Sequence, residues 1–244
     1  MKYSTSPVDC GRSDFVRTDD MPLLDIDAHF SFACAGCGDC CRARRDIVLS
    51  GHDLWRIAER LRLPPRIAAR AFCTESIGQT SRLPVLRLTP VHEAGDSCPF
   101  LFKSRCTIHE SKPLACALYP MAQEIDVSGR VGYFLQPTDC GGHVYEATVG
   151  DYLRASGILD REAVDVRWAQ ACMELADRVE ALEARFEPAL RRRMYAHLWA
   201  ALYYDYDFSA PFLPQLEANL VGLNAAIAAL EGYQTKRTIK KSDR

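Results

Sequence analysis

No stretch of this chain approaches the eighteen or so consecutive apolar residues that a membrane-spanning helix needs. The first thirty residues alternate charged and apolar positions without a continuous apolar centre, so a secretory leader is not expected. Charge of neither sign dominates: 30 Lys and Arg stand against 32 Asp and Glu, a net charge of −2, which gives no reason to expect nucleic acid as a partner. The basic run Lys236-Arg237-Thr238-Ile239-Lys240-Lys241 is short and terminal, and reads as a solvated tail. An internal repeat, a Gly-x-Gly-x-x-Gly loop, a Ser–His–Asp signature and a doubly wound order of strands and helices are all missing. These absences point to a cytoplasmic globular protein bound neither to membrane nor to nucleic acid. With 244 residues, 48% of them hydrophobic, it can bury a real core.

Cysteine is what the chain has in plenty, 11 residues in all. Four fall within eight positions, Cys34-x-x-Cys37-x-x-Cys40-Cys41, and Cys98, Cys106, Cys116 and Cys140 follow. In a reducing cytosol disulfides are rare, and clustered thiols are better read as metal ligands. Thiolates select zinc, copper(I) or iron–sulfur centres over hard cations, because polarizable sulfur matches those ions. A C-x-x-C loop curls two side chains toward one ion, and the run of Cys34, Cys37 and Cys40 matches the first three ligands of a ferredoxin-type 4Fe-4S loop. Cys98-Pro99 fits the remote cysteine of such a site. Cys40 and Cys41 are adjacent; in extended backbone their sulfurs would point to opposite faces and serve different centres, or one would support the site from outside the ligand set. Eight sulfurs suit two four-sulfur sites, or one cluster beside one zinc. Cys73 and Cys172 read as buried structural thiols. Arg42, Arg44 and Arg45 would offset a negative centre or form a solvated turn, and His109 and His143 read as ordinary histidines rather than ligands.

The organisation expected is α+β and predominantly α. Residues 1–27 form a loosely ordered arm, 28–145 a cysteine-cluster metal-binding domain with a few short antiparallel strands, 146–233 a helical C-terminal region and 234–244 a disordered basic tail. Strands are predicted at Asp46–Leu49, at Val85–Leu88 and in a hairpin over Glu124–Leu135. Ser50 and Asp53 form a capping box ahead of a helix with Leu54, Ile57, Ala58 and Leu61 on one face. Pro64-Pro65 ends it and opens a second helix through Phe72. Cys98 to Pro120 reads as a loop shaped by its ligands. Beyond Gly142, Val164, Trp168, Cys172, Leu175, Val179 and Leu182 form an apolar helical stripe, and Gly232 is the expected cap of the last helix. Tyr203-Tyr204-Asp205-Tyr206-Asp207 reads as an aromatic hinge between helices.

Phe32-x-Cys34-x-x-Cys37-Gly38-x-Cys40-Cys41, Cys98-Pro99-Phe100-Leu101, Cys106-x-Ile108, Lys112-Pro113-x-x-Cys116, Tyr119-Pro120 and Cys140-Gly141 together resemble the YkgJ-type cysteine-cluster family, described as chelating zinc or iron and including the flagellin N-methylases. The resemblance spans about residues 28–142 and implies a metal site with Cys34, Cys37, Cys40, Cys41, Cys98, Cys106, Cys116 and Cys140 as ligands. It also implies an alternative to a structural or redox centre, a protein-lysine N-methyltransferase using S-adenosylmethionine. In either case a protein partner or substrate would dock on the helical region.

Overall fold

The computed structural model describes residues 17–18, 21–32, 34, 37–42, 47–136 and 147–242, with side chains to residue 235. Its architecture is α+β: three small antiparallel sheets in the front half, then a helical C-terminal half.

The first sheet has the order β1 (Val48–Leu49), β3 (Pro84–Leu88), β2 (Cys73–Ile77). Between β1 and β2 lie α1 (Gly51–Leu61) and α2 (Pro65–Phe72). The expected capping box starts α1: Asp53 N–H donates to Ser50 Oγ at 3.0 Å, and Ser50 N–H donates to Asp53 Oδ2 at 3.0 Å. Pro65 opens α2 at its first position, where the missing N–H costs nothing. The apolar face of α1 packs with β1 and β3, so Leu49, Leu54, Ile57, Leu83 and Leu86 are almost fully buried. Each contributes about 1.5–3 kcal/mol by leaving water. Strand β2 has no counterpart in the sequence-based expectation. It lies at the sheet edge with Thr74, Glu75 and Ile77 exposed, so its alternation of apolar and polar residues is weak.

The segment expected as a bare loop, Cys98 to Pro120, has local structure of its own. A hairpin of β4 (Leu101–Phe102) and β5 (Arg105–Cys106) turns through Lys103 and Ser104, both at positive φ, as a two-residue connection requires. Helix α3 (Leu114–Leu118) follows Pro113. Beyond it the expected hairpin forms from β6 (Met121–Ile125) and β7 (Val131–Leu135). Part of the segment expected to be a loose arm is docked here: Leu24 N–H donates to Tyr133 O at 2.7 Å, Arg17 pairs with Glu124 at 2.9 Å, and Gly150 N–H donates to Ile26 O at 2.8 Å.

The C-terminal half comprises α4 (Val149–Ala155), α5 (Ile158–Arg185), α6 (Pro188–Trp199), a π-helical turn (Ala200–Tyr204) and α7 (Phe212–Ser242). Trp168, Cys172, Leu175, Val179 and Leu182 of the predicted stripe are buried against α6, α7 and the first sheet. The π turn delivers Tyr203 into the core, where its hydroxyl donates to Leu49 O and Pro84 O at 3.2 and 3.3 Å. The tyrosine cluster is thus a hinge locked onto the sheet. Gly232 does not end the last helix, which continues to Ser242 through the segment expected to be a disordered tail. One interior glycine costs a helix only about 1 kcal/mol, and basic residues at a C-terminus favour the helix dipole.

Candidate metal centre

Two cysteine-bearing segments meet through their backbones. Gly38, at φ 76°, starts a 3₁₀ turn over Asp39–Cys41. A Cβ at Gly38 would lie 3.1 Å from Leu101 Cδ1 and 3.2 Å from Ser104 O, so glycine lets the first loop press against the β4–β5 turn. Cys98 N–H donates to Cys41 O at 2.8 Å, and Arg42 clamps the contact from outside. Its guanidinium donates to Cys37 O at 2.9 Å, Asp39 Oδ1 at 2.7 Å and Ser104 Oγ at 2.9 Å. Arg42 therefore acts within the loop itself, and Arg44 and Arg45 lie outside the described residues.

Cys40, Cys41, Cys98 and Cys116 line one cavity with Ile47, Leu88, Pro90 and Pro99. About 20 Å³ of it is open to a water-sized sphere, room for one atom-sized occupant. The 3₁₀ turn corrects the premise of the expectation for Cys40 and Cys41: the backbone is not extended, their sulfurs are 3.9 Å apart, and both residues line the same cavity. Cys37 and Cys106 are half-buried, Cys34 is exposed, and Cys140 lies outside the described residues. His109 is exposed, with its pKa lowered chiefly by neighbouring Lys112; His143 lies outside the described residues.

The thiols hinder one another's ionisation. The contact with Cys40, burial, and the proximity of Cys98 and Cys116 all push the Cys41 thiol up. Burial pushes Cys98 and Cys106 up, with nearby thiols adding to it, while Lys112 pulls Cys106 the other way. Several thiolates sharing one partly desolvated space repel each other unless a cation sits among them. Among the described residues, no three histidine, cysteine or carboxylate side chains are already arranged to hold a metal ion. Lining a common cavity is the looser condition, and four cysteines meet it. Soft donors around an ion-sized space suit a single zinc or iron ion.

Three groupings of side chains were not read from the sequence, although Phe32, Lys112 and Tyr119 stand in the family motif and Asp53 in the capping box. An aromatic cluster of Phe30, Phe32, Tyr119 and Tyr152 stands beside the first loop, with ring centroids 5.0–6.4 Å apart. Burial, with a smaller influence of Cys34 and Cys40, pushes the Tyr152 hydroxyl up to about 12. Lys112 is the second. The third is a buried ionic group of Asp53, Arg161 and Asp165, with Arg161 5% and Asp165 4% exposed. An Arg and Asp four apart in a helix with apolar neighbours is the only local signal of it. Cys73, at the start of β2, and Cys172, in the helical core, are apart from the cavity, as structural thiols would be. Burial, with Glu75 nearby, pushes Cys73 up to about 12.

Residues 33–139 match the model of the CxxCxxCC family, described as a "putative zinc- or iron-chelating domain". The match opens one residue before Cys34 and stops one residue short of Cys140, so it encloses seven of the eight clustered cysteines together with β1 to β7 and α1 to α3. The helical half lies beyond it. No curated protein and no solved structure matches the chain. No helix among the described residues is long and apolar enough to cross a membrane.

Proposed function

We propose, from the premise that residues 33–139 form a CxxCxxCC domain, that the front half of this chain holds a soft metal centre, zinc or iron–sulfur, on thiolates drawn from Cys34, Cys37, Cys40, Cys41, Cys98, Cys106, Cys116 and Cys140. One observation carries the reading: Cys40, Cys41, Cys98 and Cys116, from three separate segments, line one ion-sized cavity. When bound, the centre supplies a positive charge that lets crowded thiols ionise together, and bonds that link three segments of chain. The protein's own residues hold the donors in reach. Gly38 and Arg42 fix the first loop against the β4–β5 turn, Cys98 N–H ties the two segments, and Lys112 adds positive charge beside Cys106. The role favoured is structural or redox. Nothing among the described residues favours methyl transfer from S-adenosylmethionine.

The test is elemental analysis and a visible spectrum of anaerobically purified protein, for wild type, Cys98→Ser and Cys172→Ser. Stoichiometric zinc or iron in wild type and Cys172→Ser, and its loss in Cys98→Ser, is the expected result. A brown sample containing sulfide selects iron–sulfur, and a colourless zinc protein selects the structural site. Wild-type protein that is metal-free, folded and indifferent to chelators overturns the proposal.

A further inference from the structure

Helix α3 carries Cys116 and is only five residues long, too short to be stable by itself. Its N-cap is Pro113, which has no side-chain acceptor for the orphan N–H groups of the first turn. That acceptor comes from another element: Leu114 N–H donates to Asp53 Oδ1 at 2.9 Å, from the first turn of α1. The same carboxylate is fully engaged. Its Oδ2 accepts Ser50 N–H at 3.0 Å, and its Oδ1 also accepts Arg161 Nη2 at 2.8 Å. Arg161 lies in α5, 108 residues away in sequence, and is fixed in turn by two bonds to Asp165, Nε to Oδ2 at 2.7 Å and Nη2 to Oδ1 at 2.8 Å. A continuous chain of buried, charge-assisted hydrogen bonds thus runs from α5 through α1 to the first turn of the Cys116 helix.

We infer that Asp53 and Arg161 are positioning residues for Cys116, so that the helical half of the molecule sets the geometry of the cysteine cavity. Asp53 completes the capping box of α1 with Ser50, and its second duty is what fixes α3. Arg161 orients Asp53 through its hydrogen bond and, together with the Ser50 amide, holds the carboxyl below its usual range against a burial that pushes it up. Removing either residue frees the first turn of α3 and lets Cys116 swing away from Cys40, Cys41 and Cys98. Partners that orient metal ligands from outside the ligand set typically alter affinity 10–100-fold. The metal consequence rests on the centre proposed above; the control of α3 does not.

The experiment uses the full chain as Asp53→Ala, Arg161→Met and Arg161→Lys, beside Leu216→Ala, a core truncation in α7. Two readouts are taken on reduced, metal-free protein: amide hydrogen exchange at Leu114–Leu118 and the alkylation rate of Cys116 by mass spectrometry. A third is zinc affinity by competition with a chromophoric chelator. Asp53→Ala and Arg161→Met are expected to speed exchange at Leu114 and alkylation of Cys116 by about tenfold or more, and to weaken zinc about 10–100-fold. Arg161→Lys, which keeps a charge but loses the planar fork, falls between and serves as the readable variant if the others do not fold. Leu216→Ala leaves all three readouts near wild type once its lower stability is accounted for. Exchange and alkylation indistinguishable from Leu216→Ala overturn the inference. A wild type that binds no zinc or iron overturns the metal centre instead, and the first two readouts still decide the positioning role.

Discussion

The two halves of this molecule are held by different means. The helical half has α5 of 28 residues and α7 of 31, and its stability comes from one apolar stripe closing on another. Among the described residues, the front half has no strand longer than five residues and no helix longer than α1, with 11. It is knit by bonds between loops and by backbone in unfavourable regions. Every non-glycine residue at positive φ among those described, namely Arg62, Arg82, Asp96, Lys103 and Ser104, lies in that half. Each such residue costs about 1–2 kcal/mol relative to an ordinary conformation. Small elements bent sharply can gather side chains from distant segments onto one cavity, which long straight helices do less readily. Burial stabilises both halves, and the front half has in addition spent conformational freedom on convergence.

The strongest way to break this contrast is to take away what the front half converges on. Treating reduced protein with a strong chelator is expected to collapse protection from hydrogen exchange in residues 37–42 and 98–118, while α5 to α7 keep theirs. Structural zinc in small domains is worth about 10 kcal/mol or more, so the effect should dominate every substitution considered below. If protection falls equally in both halves, or in neither, the front half is not organised by a metal and the contrast fails.

Next in size comes the joint between the halves. Arg161→Met leaves Asp53 and Asp165 buried without their cation, and loss of one partner of a buried pair costs about 3–5 kcal/mol. Urea denaturation measures it, and a cost below about 1 kcal/mol would show the joint to be incidental. Asp53 adds a pH signature. Burial alone would raise its pKa, but Arg161 and the Ser50 amide hold it below the usual carboxylate range. Its stabilising contribution is therefore complete above the unfolded value of about 3.9, and is lost as pH falls through the lower folded value. Asp53→Asn is expected to be less stable at neutral pH and to show a flatter decline on the acid side than wild type. Parallel declines would mean that Asp53 does not carry the acid limb.

Legibility followed range along the chain. The capping box at Ser50 and Asp53, the proline opening α2, and the stripe from Trp168 to Leu182 depend on neighbours within a turn or two, and all were readable. The tyrosine hinge was readable because three tyrosines beside Trp199 are too large to leave in water. Strand β2 escaped because an edge strand need not alternate, and α3 because five residues after a proline carry no period. For the site, spacing marked the cysteines, but not that Cys40 and Cys41 face one cavity; that follows from the 3₁₀ turn at Gly38, packed against a hairpin more than sixty residues on. Arg161 was invisible for the same reason, its key partner being 108 residues away.

The smallest effects give the cleanest comparison, because they put the same substitution in each half. At Gly38 an alanine must hold φ 76° with its Cβ 3.1 Å from Leu101 Cδ1 and 3.2 Å from Ser104 O. The left-handed conformation alone costs about 1–2 kcal/mol for a residue with a Cβ, and the backbone oxygen cannot move aside as a side-chain end could. At Gly232, inside α7, nothing lies within 4 Å of the added Cβ and the backbone is helical. There alanine removes glycine's penalty of about 0.8–1.0 kcal/mol. Gly38→Ala should therefore lower the denaturation midpoint and metal content together, while Gly232→Ala raises the midpoint and leaves metal content alone. Two shifts of the same sign would mean that backbone conformation is not what separates the converging half from the packed one.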